Sequence, residues 1–112
     1  MPPRDWRLRI DDILAAIANI ENYVTGLSFD EFRADQKTVD AVVRNLEVIG
    51  EATRYLSMDQ KDLVADVPWA DIAGMRNILI HEYFGVDLAI IWQSVIEDLP
   101  RLRSQLQRVL ES

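Results

Sequence analysis

The sequence predicts an all-α fold: an up-and-down antiparallel helical bundle of four long helices with short extra helical segments. Three observations carry this expectation. Apolar residues recur at three- and four-residue steps almost throughout, the spacing of a half-buried helix. No run alternates with period two for long enough to make a strand. Helix-starting and helix-ending residues fall between the apolar stripes, leaving only short connections.

Trp6, Ile10, Ile13, Leu14, Ile17, Ile20 and Val24 form the first stripe, so residues 5–25 read as one helix ending near Gly26. Ser28 and Glu31 have the capping-box spacing and open a short helical piece. Asp35 caps a second long helix with Val39, Val42, Val43, Leu46, Ile49 and Leu56 on one face. Ser57 and Gln60 repeat the capping-box spacing before the short segment KDLVAD. Pro68 is expected in the first turn of a third long helix running from Trp69 towards Phe84, with Gly85 ending it. Asp87 caps the fourth, whose stripe is Leu88, Ile91, Trp92, Val95, Ile96, Leu99, Leu102, Leu106 and Leu110. Pro100 interrupts this last helix, because it lacks an N–H and its ring clashes with the carbonyl of Ile96, so a kink is expected there. The aromatic load of Trp6, Trp69, Trp92, Phe84 and Tyr23 is large for such a body, and part of it is expected to bury against a second subunit.

The 112 residues, 49% of them apolar, suit one domain spanning 1–112. The absence of cysteine excludes disulfides, thiol nucleophiles and thiolate metal sites. A single histidine, His81, excludes a His-rich metal site within one chain. The opening MPPRDWRLRI has no uncharged stretch long enough for a signal peptide, and no window approaches a membrane span; a cytoplasmic protein with no membrane partner is expected. The net charge of −7 is unevenly spread: residues 1–10 and 99–112 each carry +2, and the middle carries −11. Such a body argues against broad, sequence-blind nucleic-acid binding but leaves room for a local arginine site, since fields are screened over about 8 Å.

Polar groups concentrate in the segment from Met75 to Gly85. On an ideal helix Tyr83 lies almost under Arg76, about 10 Å along the axis, whereas His81 is offset from Arg76 by about 140°. Arg76 and His81 therefore converge on one small ligand only if the last turn tightens or a partner chain completes the site. The bland alternative makes Arg76 a solvated charge and His81 a residue facing the terminal carbonyls of its helix. Glu47 and Glu51, four apart, share a helix face and with Asp40 offer an acidic metal site. The competing reading, a solvated face with ion pairs to Arg44 or Arg54, is preferred because no octahedral ligand set is evident. Gly50 costs its helix about 1 kcal/mol relative to alanine, which makes sense if a neighbouring helix or subunit approaches closely.

Arg76, four intervening residues, His81, one residue and Tyr83 match the RxxxxHxY motif, and with it the chain resembles the HepT-like proteins of the HEPN superfamily (higher eukaryote and prokaryote nucleotide-binding). Arg44-Asn45-Leu46-Glu47-Val48-Ile49-Gly50-Glu51-Ala52 is similar to the family's second long helix. Pro68-Trp69 and Gly74-Met75-Arg76-Asn77 resemble its approach to the motif, and Phe84-Gly85-Val86-Asp87 the turn after it.

The resemblance implies the toxin of a type VII-like HepT/MNT toxin–antitoxin pair, a homodimer whose two motifs line a shared cleft. It implies a metal-independent ribonuclease, with no cofactor and with RNA as substrate. Arg76 would clamp the scissile phosphate and His81 would exchange a proton, with Asn77 supporting them by holding a phosphate oxygen or orienting His81. An MNT-type nucleotidyltransferase antitoxin would transfer AMP to Tyr83. The alternatives are a non-catalytic helical partner and AMPylation substrate of a nucleotidyltransferase, or a nucleotide-binding accessory domain without toxicity. The acidic middle also reads as a docking surface for a basic partner, the antitoxin.

Overall fold

The computed structural model describes residues 5–74 and 87–111, and among these there is no strand. Helix α1 spans Trp6–Val24. Asp5 caps it by accepting from the Arg7 N–H at 2.9 Å. It ends where Thr25 folds its hydroxyl onto the Glu21 carbonyl and Gly26 takes φ +78, a left-handed conformation that glycine adopts without a Cβ penalty.

Both capping boxes form. Ser28 opens α2 (Phe29–Ala34), accepting from the Glu31 N–H at 3.1 Å while its own N–H donates to Glu31 Oε1 at 3.0 Å. Ser57 and Gln60 repeat the exchange at 3.1 and 2.9 Å to open α4 (Met58–Asp62). Asp35 ends α2 and starts α3 (Gln36–Arg54), taking the Thr38 hydroxyl at 2.8 Å and the Thr38 N–H at 3.3 Å.

Helices α1 and α3 make the most extensive helix pair, and they run antiparallel. The guanidinium of Arg9 lies 4.1 Å over the ring of Tyr55, and Asn19 donates to Asn45 at 3.2 Å. Ten residues forward along α1 correspond to ten residues back from Tyr55 to Asn45, which fixes direction and register together. The seam is aliphatic: Ile10, Ile13, Ile17 and Ile20 on α1, with Val39, Val42, Leu46 and Ile49 on α3, are all buried. Gly50 also lies on the buried side of α3.

Residues 69–74 begin helix α5. Pro68 precedes it as the N-cap instead of entering its first turn. Its carbonyl accepts from the N–H groups of Asp71 and Ile72, both at 3.1 Å, and so takes the helix's first hydrogen bonds. The predicted continuation of this helix to Phe84, and its end at Gly85, lie outside the described residues.

The last helical run is α6 (Leu88–Gln93), a π turn over Ser94–Asp98, and α7 (Leu99–Leu110). The π turn answers the missing N–H of Pro100. The chain widens to a five-residue repeat, in which Leu99 N–H reaches the carbonyl of Ser94, and α7 restarts with the proline in its first turn, where no donor is needed. The interruption predicted at Pro100 is thus placed in the π turn over Ser94–Asp98, ahead of the proline. Inserting a residue into the repeat also shifts the stripe. Ile91, Val95, Leu99, Leu102 and Leu106 are buried as expected, but Ile96 is 51% exposed.

Helix α7 packs on α1, with Arg103 Nη1 bonded to both carboxylate oxygens of Glu21. Trp92 on α6 lies 5.1 Å from Phe32 and 6.2 Å from Phe29, closing the end of the bundle where α1 turns into α2. Trp69 is buried, and Trp6 and Trp92 pack partly buried against the core; Tyr23 stays exposed, and Phe84 lies outside the described residues.

Two outcomes follow. Phe32 is fully buried at the junction of α2 and α6, so Phe32→Ala is expected to lower unfolding free energy by about 3–5 kcal/mol in urea melts. Asp35 is held below its ordinary 3.8 by the Thr38 hydroxyl first and the Thr38 N–H second. A depressed carboxylate stabilises the fold fully above its unfolded value and loses that contribution as pH falls through the lower folded value. The stability gap between the wild type and Asp35→Ala is therefore expected to be widest at neutral pH and to close on acidification below 3.8, as urea melts at each pH would read.

Candidate functional site

Arg76, Asn77, His81 and Tyr83 all lie outside the described residues; the structure describes the frame that holds the two ends of their segment. On the entering side, the indole N–H of Trp69 is shared between the carbonyls of Lys61 and Val64, each at 3.2 Å. That bond ties the first turn of α5 to the end of α4, and burial of the ring keeps water from competing for it. On the leaving side, Asp87 accepts from the Ala89 N–H at 2.8 Å and starts α6. Ile91 and Trp92 then anchor α6 to the core and to the aromatic pair on α2. Both ends of the motif segment are thus attached to parts of the bundle held by local capping and apolar burial.

The carboxylates weighed as a metal site are engaged elsewhere. Glu47 pairs with Arg44 at 3.8 Å and Glu51 with Arg54 at 3.5 Å, both three residues apart along α3. Asp40 accepts from the side-chain amide of Gln36 at 2.8 Å. These are the helix-surface pairings that the spacing favours, each worth only a few tenths of a kcal/mol in water. Among the described residues no group of carboxylates or histidine is arranged to hold a metal ion. The same face forms one wall of a polar cleft of about 350 Å³ between α1 and α3, with Arg9 and Asp12 opposite Arg44, Glu47 and Glu51.

Sequence reasoning missed the polar contact that joins α7 to the turn before α5. Gln105 is 7% exposed, and its amide donates to the Asp66 carboxylate at 3.1 Å and to the Asp66 carbonyl at 3.4 Å. A glutamine among the leucines of α7 was the one signal for it: an amide on a buried face needs a partner. The bond fixes the turn on which Pro68 and Trp69, and hence the start of α5, are mounted.

Comparison with known proteins gives this frame its context. The model of the HepT-like ribonuclease family matches residues 13–109. The chain belongs to the HepT-like ribonuclease family. Relatives of this family member include a probable ribonuclease HepT of Thermococcus cleftensis, 42% identical over 100 residues that cover 89% of this chain and 91% of the relative. A putative RNase of Methanocaldococcus jannaschii is 37% identical over 109 residues, covering 97% of this chain and all of the relative. A putative RNase of Caldanaerobacter subterraneus subsp. tengcongensis is 40% identical over 102 residues, covering 91% of each. No solved structure matches. The HepT-like match spans the whole motif segment together with the α3 and α5 residues that frame it. Among the described residues, no helix of this HepT-like chain is long and apolar enough to cross a membrane.

Removing the Asp66 side chain leaves the buried Gln105 amide with only its longer bond. Asp66→Ala is expected to cost about 1–3 kcal/mol, while the double variant Asp66→Ala/Gln105→Leu recovers much of the loss, as a double-mutant cycle in urea would read.

Proposed function

We propose that this chain is the toxin of a type VII-like HepT/MNT toxin–antitoxin pair: a cytoplasmic, metal-independent endoribonuclease that acts as a homodimer and is silenced by AMP transfer to Tyr83. The reading is carried by the HepT-like family match across residues 13–109, which contains Arg76, His81 and Tyr83 in the order and spacing of the motif.

The chemistry needs a cation for the phosphate and groups that exchange protons at neutral pH. Arg76 presents a planar fork that binds a phosphodiester through two N–H groups and holds the charge that builds on it. His81, with an unperturbed pKa of about 6.5, takes the proton from a ribose 2′-hydroxyl. The freed oxygen forms a bond to phosphorus as the bond to the 5′-oxygen breaks, leaving a cyclic phosphate. The departing 5′-oxygen takes a proton from His81 of the partner subunit, so the two histidines divide roles that one per chain cannot fill at once. Asn77 supports them by holding a phosphate oxygen or orienting His81. Ile90 and Ile96, 62% and 51% exposed on the run that follows the motif, favour an apolar contact with a second copy.

Silencing follows from placing an anion beside that cation. The Tyr83 hydroxyl attacks the α-phosphate of ATP in the antitoxin's active site, pyrophosphate leaves, and the attached AMP competes with RNA for Arg76. The antitoxin docks on the acidic middle of the chain, residues 11–98, whose charge of −11 suits a basic partner. That same acidity favours a second reading, a non-catalytic partner that serves only as AMPylation substrate, because an acidic body draws RNA weakly.

Purified, unmodified protein is expected to cleave RNA in EDTA, with His81→Ala and Arg76→Ala each slower by roughly a hundredfold or more. Equal rates for the wild type and His81→Ala would overturn the enzyme reading. With the neighbouring nucleotidyltransferase, ATP and magnesium, intact mass is expected to rise by one AMP in the wild type and not in Tyr83→Phe. A rise in wild type alone, without RNA cleavage by the unmodified protein, is the outcome of the second reading.

A further inference from the structure

A cavity of about 410 Å³ opens between α3, the start of α5 and the π turn, within the size range of small-molecule sites. Its apolar wall comes from Leu46 and Ile49 of α3 and Leu102 of α7, three residues that also belong to the buried core. Ser94, the first residue of the π turn, faces it. Ser94 is 9% exposed, yet its hydroxyl makes no hydrogen bond to any described residue. A helical serine ordinarily returns its hydroxyl to a carbonyl one turn earlier. Among the described residues no buried side-chain oxygen or nitrogen is both sealed off and unpartnered, so the Ser94 hydroxyl keeps its access through the cavity.

The charge around the opening has a sign. Asp66, Asp71 and Asp98 line it, and among the described residues Arg101 is the one cation beside them. Asp66 is engaged by Gln105, but Asp71 and Asp98 form no ion pair among the described residues. Such a rim repels phosphate and carboxylate and attracts an ammonium or amidinium group. The apolar wall behind it suits a ring or short hydrocarbon chain, and the free hydroxyl supplies one directed acceptor.

We propose that this cavity is a binding site for a small organic monocation with an apolar body. The site stands whether or not the ribonuclease reading holds, because binding is read without activity.

The test is a titration of the whole protein with phenethylammonium, followed by its amide NMR spectrum, beside the neutral phenethyl alcohol and the anionic hydrocinnamate. Phenethylammonium is expected to shift the amides of Ser94, Asp98 and Leu102, with the alcohol weaker and hydrocinnamate without effect. Asp71→Asn/Asp98→Asn is expected to weaken binding roughly tenfold. Both side chains are exposed, so unchanged melting of that variant confirms that the fold is intact. Equal binding of hydrocinnamate, unchanged affinity in the double variant, or no shift at these amides would overturn the proposal. So would affinity that vanishes as the protein is concentrated into its dimer, since the cavity would then belong to a subunit contact.

Discussion

Antiparallel packing of α1 on α3 is the constraint on which the remaining elements depend, because neither helix can keep its apolar face from water without the other. The aliphatic seam from Ile10 to Ile20 and from Val39 to Ile49 supplies non-directional attraction, which by itself would tolerate a slip of one helical turn. The Arg9–Tyr55 stack and the Asn19–Asn45 hydrogen bond remove that freedom, since both need one register. Their individual energies are small and partly solvent-screened; their effect is to select among packings of similar burial. With α1 and α3 fixed, Phe29 and Phe32 are presented to Trp92, and Glu21 to Arg103, so α6 and α7 have defined places to land.

The motif segment hangs between two of those places. Trp69 and the Asp66–Gln105 contact hold its approach, and Asp87, Ile91 and Trp92 hold its exit. This arrangement, with firm supports at both ends, suits a site whose groups must be held close together, because mobile supports would spread their positions. It also reconciles an acidic chain with an RNA substrate. The negative charge lies in the body, where it is screened within a short distance and where many carboxylates cap helices or pair along them, as Asp35, Glu47 and Glu51 do.

Among the described residues, most helix starts were legible in the sequence because they are local. Asp5, Ser28, Asp35, Ser57 and Asp87 act as caps on N–H groups two or three residues away, and such bonds are spelled out by spacing. The salt bridges of α3 were legible for the same reason. The motif was legible as a string of residue types, but the offset of about 140° between Arg76 and His81 on an ideal helix means that spacing alone does not bring them together.

What only the tertiary structure decided involves residues distant in sequence. Pro100 announced an interruption, but whether the chain would bend or widen depended on what α6 and α7 had to touch on either side; the π turn lets Ile91 and Leu102 both reach the core, and Ile96 is turned outward as a result. The burial of Gln105 against Asp66 spans 39 residues, and the Glu21–Arg103 pair spans 82. The cavity beside Ser94 exists because three separate elements fail to close over it, which no local pattern encodes. Sequence determined the helices, since backbone hydrogen bonds join near neighbours; register, burial of polar groups and empty space came from the fold, since they are properties of how those helices fill volume together.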